Sequence, residues 1–148
     1  MSTTILSDLI TAIEGQVESS TGFTKLPQVI NPEANSRRFT KEKYGVIPLS
    51  ANQVEGSIRY YTIDHEFRIK LSNEYIKTQA NDTAKRVVTN ALYNKCYDIY
   101  ARLIKNKAGM PNIVMNIKEL SIAEPEYFEN EDTVVISMGF IITYRIAL

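Results

Sequence analysis

His65 is the only histidine in this 148-residue chain, and it stands between two carboxylates in Thr62-Ile63-Asp64-His65-Glu66-Phe67. A histidine beside a carboxylate is the usual opening of a general base or an activated nucleophile. The surrounding pattern argues against that chemistry here. Tyr61, Ile63, His65, Phe67, Ile69 and Leu71 alternate with Thr62, Asp64, Glu66, Arg68 and Lys70. Successive side chains of a strand point to opposite faces, so His65 belongs with the apolar set. Asp64 and Glu66 turn away from it and cannot grip its ring. His65 therefore reads as a histidine at the edge of the core. The charged residues beside it read as a solvated or subunit-facing stripe with cross-strand ion pairs.

The remaining candidates for chemistry are few. With one histidine and one cysteine, a zinc site cannot be assembled from nitrogen and sulfur donors. Cys96 falls on the apolar stripe of a predicted helix, which makes it a packed thiol rather than a nucleophile. The six glycines, at 15, 22, 45, 56, 109 and 139, form neither a dinucleotide fingerprint nor a phosphate loop. Acidic residues crowd at Glu124, Glu126, Glu129, Glu131 and Asp132, but Pro125, Tyr127 and Phe128 break any calcium-loop spacing. That stretch reads as a solvated or partner-facing loop. No catalytic, cofactor-binding or metal-binding residue is expected.

The elements that hold these residues can be read from periodicity. Ile5, Leu6, Leu9, Ile10, Ile13 and Val17 recur at helical spacing, and Ser19-Ser20-Thr21-Gly22 stops the helix. A short strand is expected near Phe23 to Ile30. A long irregular arm follows, about 31–56, with Pro32 and Pro48 and the basic cluster Arg37, Arg38, Lys41 and Lys43. After the His65 strand, Asn81 or Asp82 can cap a second amphipathic helix. Its apolar stripe includes Val88, Leu92, Cys96, Ile99 and Leu103, and Gly109 and Pro111 end it. Its opposite face carries Lys85, Arg86, Lys95, Arg102, Lys105 and Lys107, a solvated face or a docking face for an acidic partner or DNA. Tyr93, Tyr97 and Tyr100 flank the stripe and suit either the core edge or an interface.

Two strands close the chain. Ile113, Met115 and Ile117 share one parity and Leu120 and Ile122 the other, so a bulge is expected near Lys118-Glu119. From Thr133 to Leu148 the alternation is almost unbroken. Straight, that strand spans about 54 Å, against a diameter of about 38 Å for a compact domain of this size. It must bend, with Gly139 the natural place, or extend past its own domain, where another chain has to cover its edge. The expected architecture is one α+β domain over 1–148: a mostly antiparallel sheet, two amphipathic helices packed on one face, and the basic arm.

Composition narrows the function further. Hydrophobic residues make up 44%, ample for a core without staples, and acidic and basic residues number 17 each. A dedicated nucleic-acid binder usually carries a basic excess, because phosphate neutralisation drives its affinity. The single cysteine, the lack of a secretory signal and the lack of any run approaching about 20 apolar residues lead us to expect folding in a reducing cytoplasm, with no membrane partner.

The N-terminal helix, the Lys43-Tyr44-Gly45-Val46-Ile47-Pro48-Leu49 segment after the arm, and the long terminal strand together resemble the tail terminator (tail completion) proteins of long-tailed bacteriophages. The resemblance spans the whole layout but rests on no specific motif. It implies a virion protein of the tail or neck, assembled in the host cytoplasm. Such a protein forms a ring, a hexamer in that family, which caps the tail tube protein, ends polymerisation and meets the head–tail connector. DNA passes through without sequence-specific binding. No catalytic residue carries over. A head-to-tail ring needs two different complementary patches. Arg37, Arg38, Lys41, Lys43 and Tyr44 on one side, and Glu124, Glu126, Glu129, Glu131 and Asp132 on the other, are the expected pair, with the terminal strand helping to build the seam. Another neck or head–tail joining protein, or a cellular α+β binding module, are the alternatives.

Overall fold

The computed structural model describes residues 4–26, 41–75, 82–105 and 109–147. Arg37, Arg38, Asn81, Lys107 and Leu148, the first part of the expected arm (31–40) and the second half of the expected first strand (27–30) lie outside the described residues.

The first helix, α1 (Ile5–Thr21), buries Leu9, Ile13 and Val17, one residue per turn. Gly22 ends it in the left-handed conformation at φ 71°, and its N–H donates to the Glu18 carbonyl. Glycine takes that conformation without a Cβ penalty, so the helix stops where the Ser-Ser-Thr-Gly stretch says it should. Next comes β1 (Thr24–Lys25), two residues long and parallel to the start of β2 (Lys43–Gly56).

β2 corrects the expectation of an irregular arm to residue 56, because a 14-residue strand begins at Lys43. Pro48 disguises it. Proline cannot donate to a ladder, but among the described residues β1 covers only Lys43 and Tyr44, and at Pro48 the strand is paired on one side, to β3. An edge tolerates the missing N–H, and the register shifts between Pro48 and Ala51 as the strand passes it.

β3 (Tyr60–Glu74) returns antiparallel to β2, followed by α2 (Asp82–Lys105), β4 (Val114–Ile122), β5 (Glu126–Phe128), a 3-10 turn at Glu129–Glu131, and β6 (Thr133–Ala147). The sheet order is β1-β2-β3-β6-β4, and β5 also pairs with β6. Since β3 takes one side of β6 along its whole length, β4 and β5 share the other, over different stretches. The terminal strand is thus central. Of the expected outcomes for so long a strand, an open edge along its length is not what forms: β3 lies on one side of it, and β4 and β5 cover most of the other. It runs without interruption through Gly139, the expected place for a bend, which lies opposite Arg68 of β3 and Ser121 of β4.

The β4 bulge falls as the parity flip predicts. The register shifts between Lys118 and Ser121, and Glu119 adopts a positive φ of 60°. One continuous core joins Leu9, Ile13 and Val17 of α1 and Leu92, Cys96, Ile99 and Leu103 of α2 to a single parity of the sheet, including Phe67, Ile69, Met138 and Phe140. The fold is α+β with a mostly antiparallel sheet. α1 contacts β2 and α2, and α2 reaches β3, β4 and β6.

The sheet outruns this core at one end. The first residues of β2 are buried, whereas Ser50 to Arg59 are exposed along both arms of the hairpin and its turn. Ser57 N–H donates to Tyr60 O across the turn, and Arg59 N–H donates to Ser57 Oγ.

Candidate assembly surfaces

The structure places His65 in the core at 7% exposure. Its Nδ1 lies 3.0 Å from the Tyr144 hydroxyl, and its ring centroid lies 4.4 Å from that of Phe67. Burial pushes its pKa below the ordinary histidine value, partly offset by a hydrogen bond to the Leu49 main chain. Burial also raises Tyr144. Asp64 faces the other side of the sheet, where it accepts from the Thr143 hydroxyl at 2.6 Å and pairs with Lys118 at 3.1 Å. Those contacts hold its carboxyl below the usual range, the Thr143 bond contributing most. The Asp64-His65 neighbours thus belong to two separate networks. The partner that orients His65, Tyr144, was not visible in the sequence, where the two residues stand 79 positions apart.

Cys96 is wholly buried on α2, and burial pushes its thiol up to about 12. Such a thiol carries almost no thiolate near neutral pH, so it is packing material rather than a nucleophile. Among the described residues, no three His, Cys, Asp or Glu side chains come together in a way that could hold a metal ion. No described helix is long and apolar enough to cross a membrane.

The expected assembly residues separate by environment. Lys41 is exposed and Lys43 half-buried. Tyr44 is a correction. It is wholly buried, and its hydroxyl donates to Glu18 Oε1 at 2.6 Å. Its aromatic ring therefore anchors β2 to α1 and presents no contact surface. Burial, then the Glu18 carboxylate, push its hydroxyl above the ordinary tyrosine value.

On the acidic side, Glu126 faces the buried Lys70 at 3.9 Å, and Glu129 pairs with Lys85 at 2.6 Å. Glu129 also accepts from Tyr75 Oη at 3.2 Å, and the Lys85 ammonium holds its carboxyl below the usual range. The Lys85 ammonium lies 5.7 Å and 5.8 Å from the ring centres of Tyr75 and Tyr127. The two carboxylates thus fasten the β5 turn to β3 and α2. Asp132 takes a positive φ of 51° after that turn, and its carbonyl accepts from Tyr75 N–H. Glu124 and Glu131 are exposed.

Among the described residues, the two expected patches do not meet within one chain. Lys43 lies opposite Ser72, Ser72 opposite Val135, and Val135 opposite Glu126, so they sit on one rung three strands apart. That is about 14 Å at the usual strand spacing. Among the described residues, the sheet's two sides also differ. β2 beyond Tyr44 is one edge, ending in a hairpin whose tip residue Ile58 is 92% exposed. β4 and β5 form the other, interrupted by the bulge and by Pro125.

No family model matches the chain, and no curated protein matches it. Among solved structures, it is similar to a chain described as "Virion of native gene transfer agent (GTA) particle". The two share 11% identity at a TM-score of 0.48, and the match covers 98% of this chain and 100% of that one. At that score the likeness carries no functional argument.

Proposed function

We propose that this chain is a structural virion protein that forms a ring at the head-proximal end of a phage tail tube, ends tube polymerisation and joins the tail to the head connector. One observation carries the reading: among the described residues, the sheet presents two long open edges of different construction, β2 and β4–β5, on opposite sides of one subunit. An unpaired edge is a template for another strand. Two unlike edges favour head-to-tail addition, which closes into a ring when the rotation per subunit allows. The side-chain chemistry points the same way. His65 is committed to Tyr144, Cys96 to the core, and Glu126 and Glu129 to lysines of their own chain. The layout of helix, arm and long strands that resembles tail terminators supports the finer assignment to the tail end, with the tail tube protein and the connector as partners.

Negative-stain microscopy and light scattering of the purified protein test the ring directly. Annular particles with a central hole, of several subunits' mass, are the expected result. Adding the protein to polymerising tail tube protein should then shorten the tubes. A protein that stays a monomer, alone and with tube protein, overturns the assignment.

A further inference from the structure

The two helices carry opposite charge. α1 contains Asp8, Glu14 and Glu18 and no basic residue. α2 contains five basic residues, Lys85, Arg86, Lys95, Arg102 and Lys105, against two acidic ones, Asp82 and Asp98. They pack against each other, α1 toward the β2 edge and α2 across β3 and β6 as far as β4. If the β4 side of one copy meets the β2 side of the next, α2 of the first comes beside α1 of the second.

α2 also has an outward face shaped for another helix. Val87, Asn90, Asn94, Tyr97, Ala101 and Ile104 follow one another at steps of three and four residues, the spacing of a helix–helix seam. Three of these are large and exposed: Val87 by 64%, Tyr97 by 53% and Ile104 by 42%. Arg86 and Lys105 are exposed beside them. The outward face of α1 is the counterpart in shape and charge. Ser7, Thr11, Gly15 and Ser19 stand exposed one turn apart, and a Cβ placed on Gly15 meets nothing within 4 Å. Exposed Asp8 and Glu18 border that shallow track.

We infer that the outward face of α2 docks on the outward face of α1 of a second copy, the Val87, Tyr97 and Ile104 side chains lying along the Ser7-Thr11-Gly15-Ser19 track. The inference rests on the ring reading and adds the surface that sets its direction. Pairing α2 with α2 sets basic against basic, and α1 with α1 acidic against acidic. Only the unlike pair is attractive, so the contact is head-to-tail.

Two charge-reversed variants test this. Arg86→Glu with Lys105→Glu makes α2 acidic, and Asp8→Lys with Glu18→Lys makes α1 basic. Each variant alone then opposes like charges and should lose the ring, with its subunit affinity down by about tenfold or more. Mixed in equal amounts, they should recover wild-type mass, because a ring alternating between them restores attraction at every contact. Circular dichroism and thermal unfolding establish that each is folded. If Glu18→Lys, which removes the acceptor for Tyr44, prevents folding, Asp8→Lys with Glu18→Gln, which keeps an acceptor there, replaces that pair. Folded variants that keep the wild-type ring on their own, or a mixture that stays dissociated, overturn the α2–α1 contact while a wild-type ring still stands. A monomeric wild type overturns both.

Discussion

The same two strands behave as different materials at their two ends. Around Phe67, Ile69 and Leu71 of β3, and their partners Phe140, Met138 and Ile136 of β6, nearly every core-side residue is fully buried beneath the helices. Past His65, β3 runs out beside β2 into the hairpin, where Val54 is 56% and Ile58 92% exposed. Backbone pairing continues unbroken from one end to the other. The sheet's hydrogen bonding therefore does not require a core above it. Burial specifies the fold, and among the described residues the extension has no layer packed over it.

That contrast can be broken most forcefully at its buried end. Phe67→Ala should destabilise the protein by about 3–5 kcal/mol, the transfer term plus a cavity against Phe140, as read from urea unfolding. A loss below about 1 kcal/mol contradicts the tight core described here. At the junction, Thr143→Val removes the hydroxyl that donates to Asp64 and should cost about 1 kcal/mol at neutral pH. The folded carboxyl is held below its ordinary value of about 3.8. Its stabilisation is therefore complete above that value and is lost as pH falls through the lower folded value. The difference between wild type and Thr143→Val should accordingly shrink in acid, and a pH-independent difference would contradict the carboxylate's role.

His65, one residue on, gives a smaller effect. Its folded pKa lies below the ordinary value of about 6.5. The unfolded chain therefore binds more protons just below that pH. The fold keeps its full stability above it and loses some as pH falls toward the folded value. His65→Gln should flatten this part of the stability–pH curve, measured by thermal unfolding between pH 7 and 5; an unchanged slope assigns the titration to another group. At the outer end, Ile58→Ser should change subunit stability by no more than about 0.5 kcal/mol. Light scattering should nonetheless show weaker assembly. A large loss of stability there would mean the tip is not the free surface described.

Much of the buried end is legible in the chain itself. The alternation from Tyr61 to Leu71 states which side chains face the helices, the spacing of Leu9, Ile13 and Val17 states one helix face, and the parity flip at Lys118-Glu119 locates a bulge. The outer end is not legible in this way. β2 hides behind Pro48 and a run of exposed polar residues, and such a stretch has no apolar rhythm to announce a strand. Nor does sequence position show that Tyr44 is buried against α1, or that Glu126 and Glu129 pair with lysines of their own chain.

By itself the sequence determined the face each side chain takes, because a period of two or 3.6 residues is a property of the local backbone. Only the tertiary structure decided who lies beside whom. It put β6 in the middle of the sheet, set Tyr144 against His65, buried Lys70 beneath Glu126, and packed α1 against α2 over one core. Strands pair through backbone groups that every residue shares, so the choice of neighbour leaves little mark on any one segment and emerges only when all segments compete for the same core.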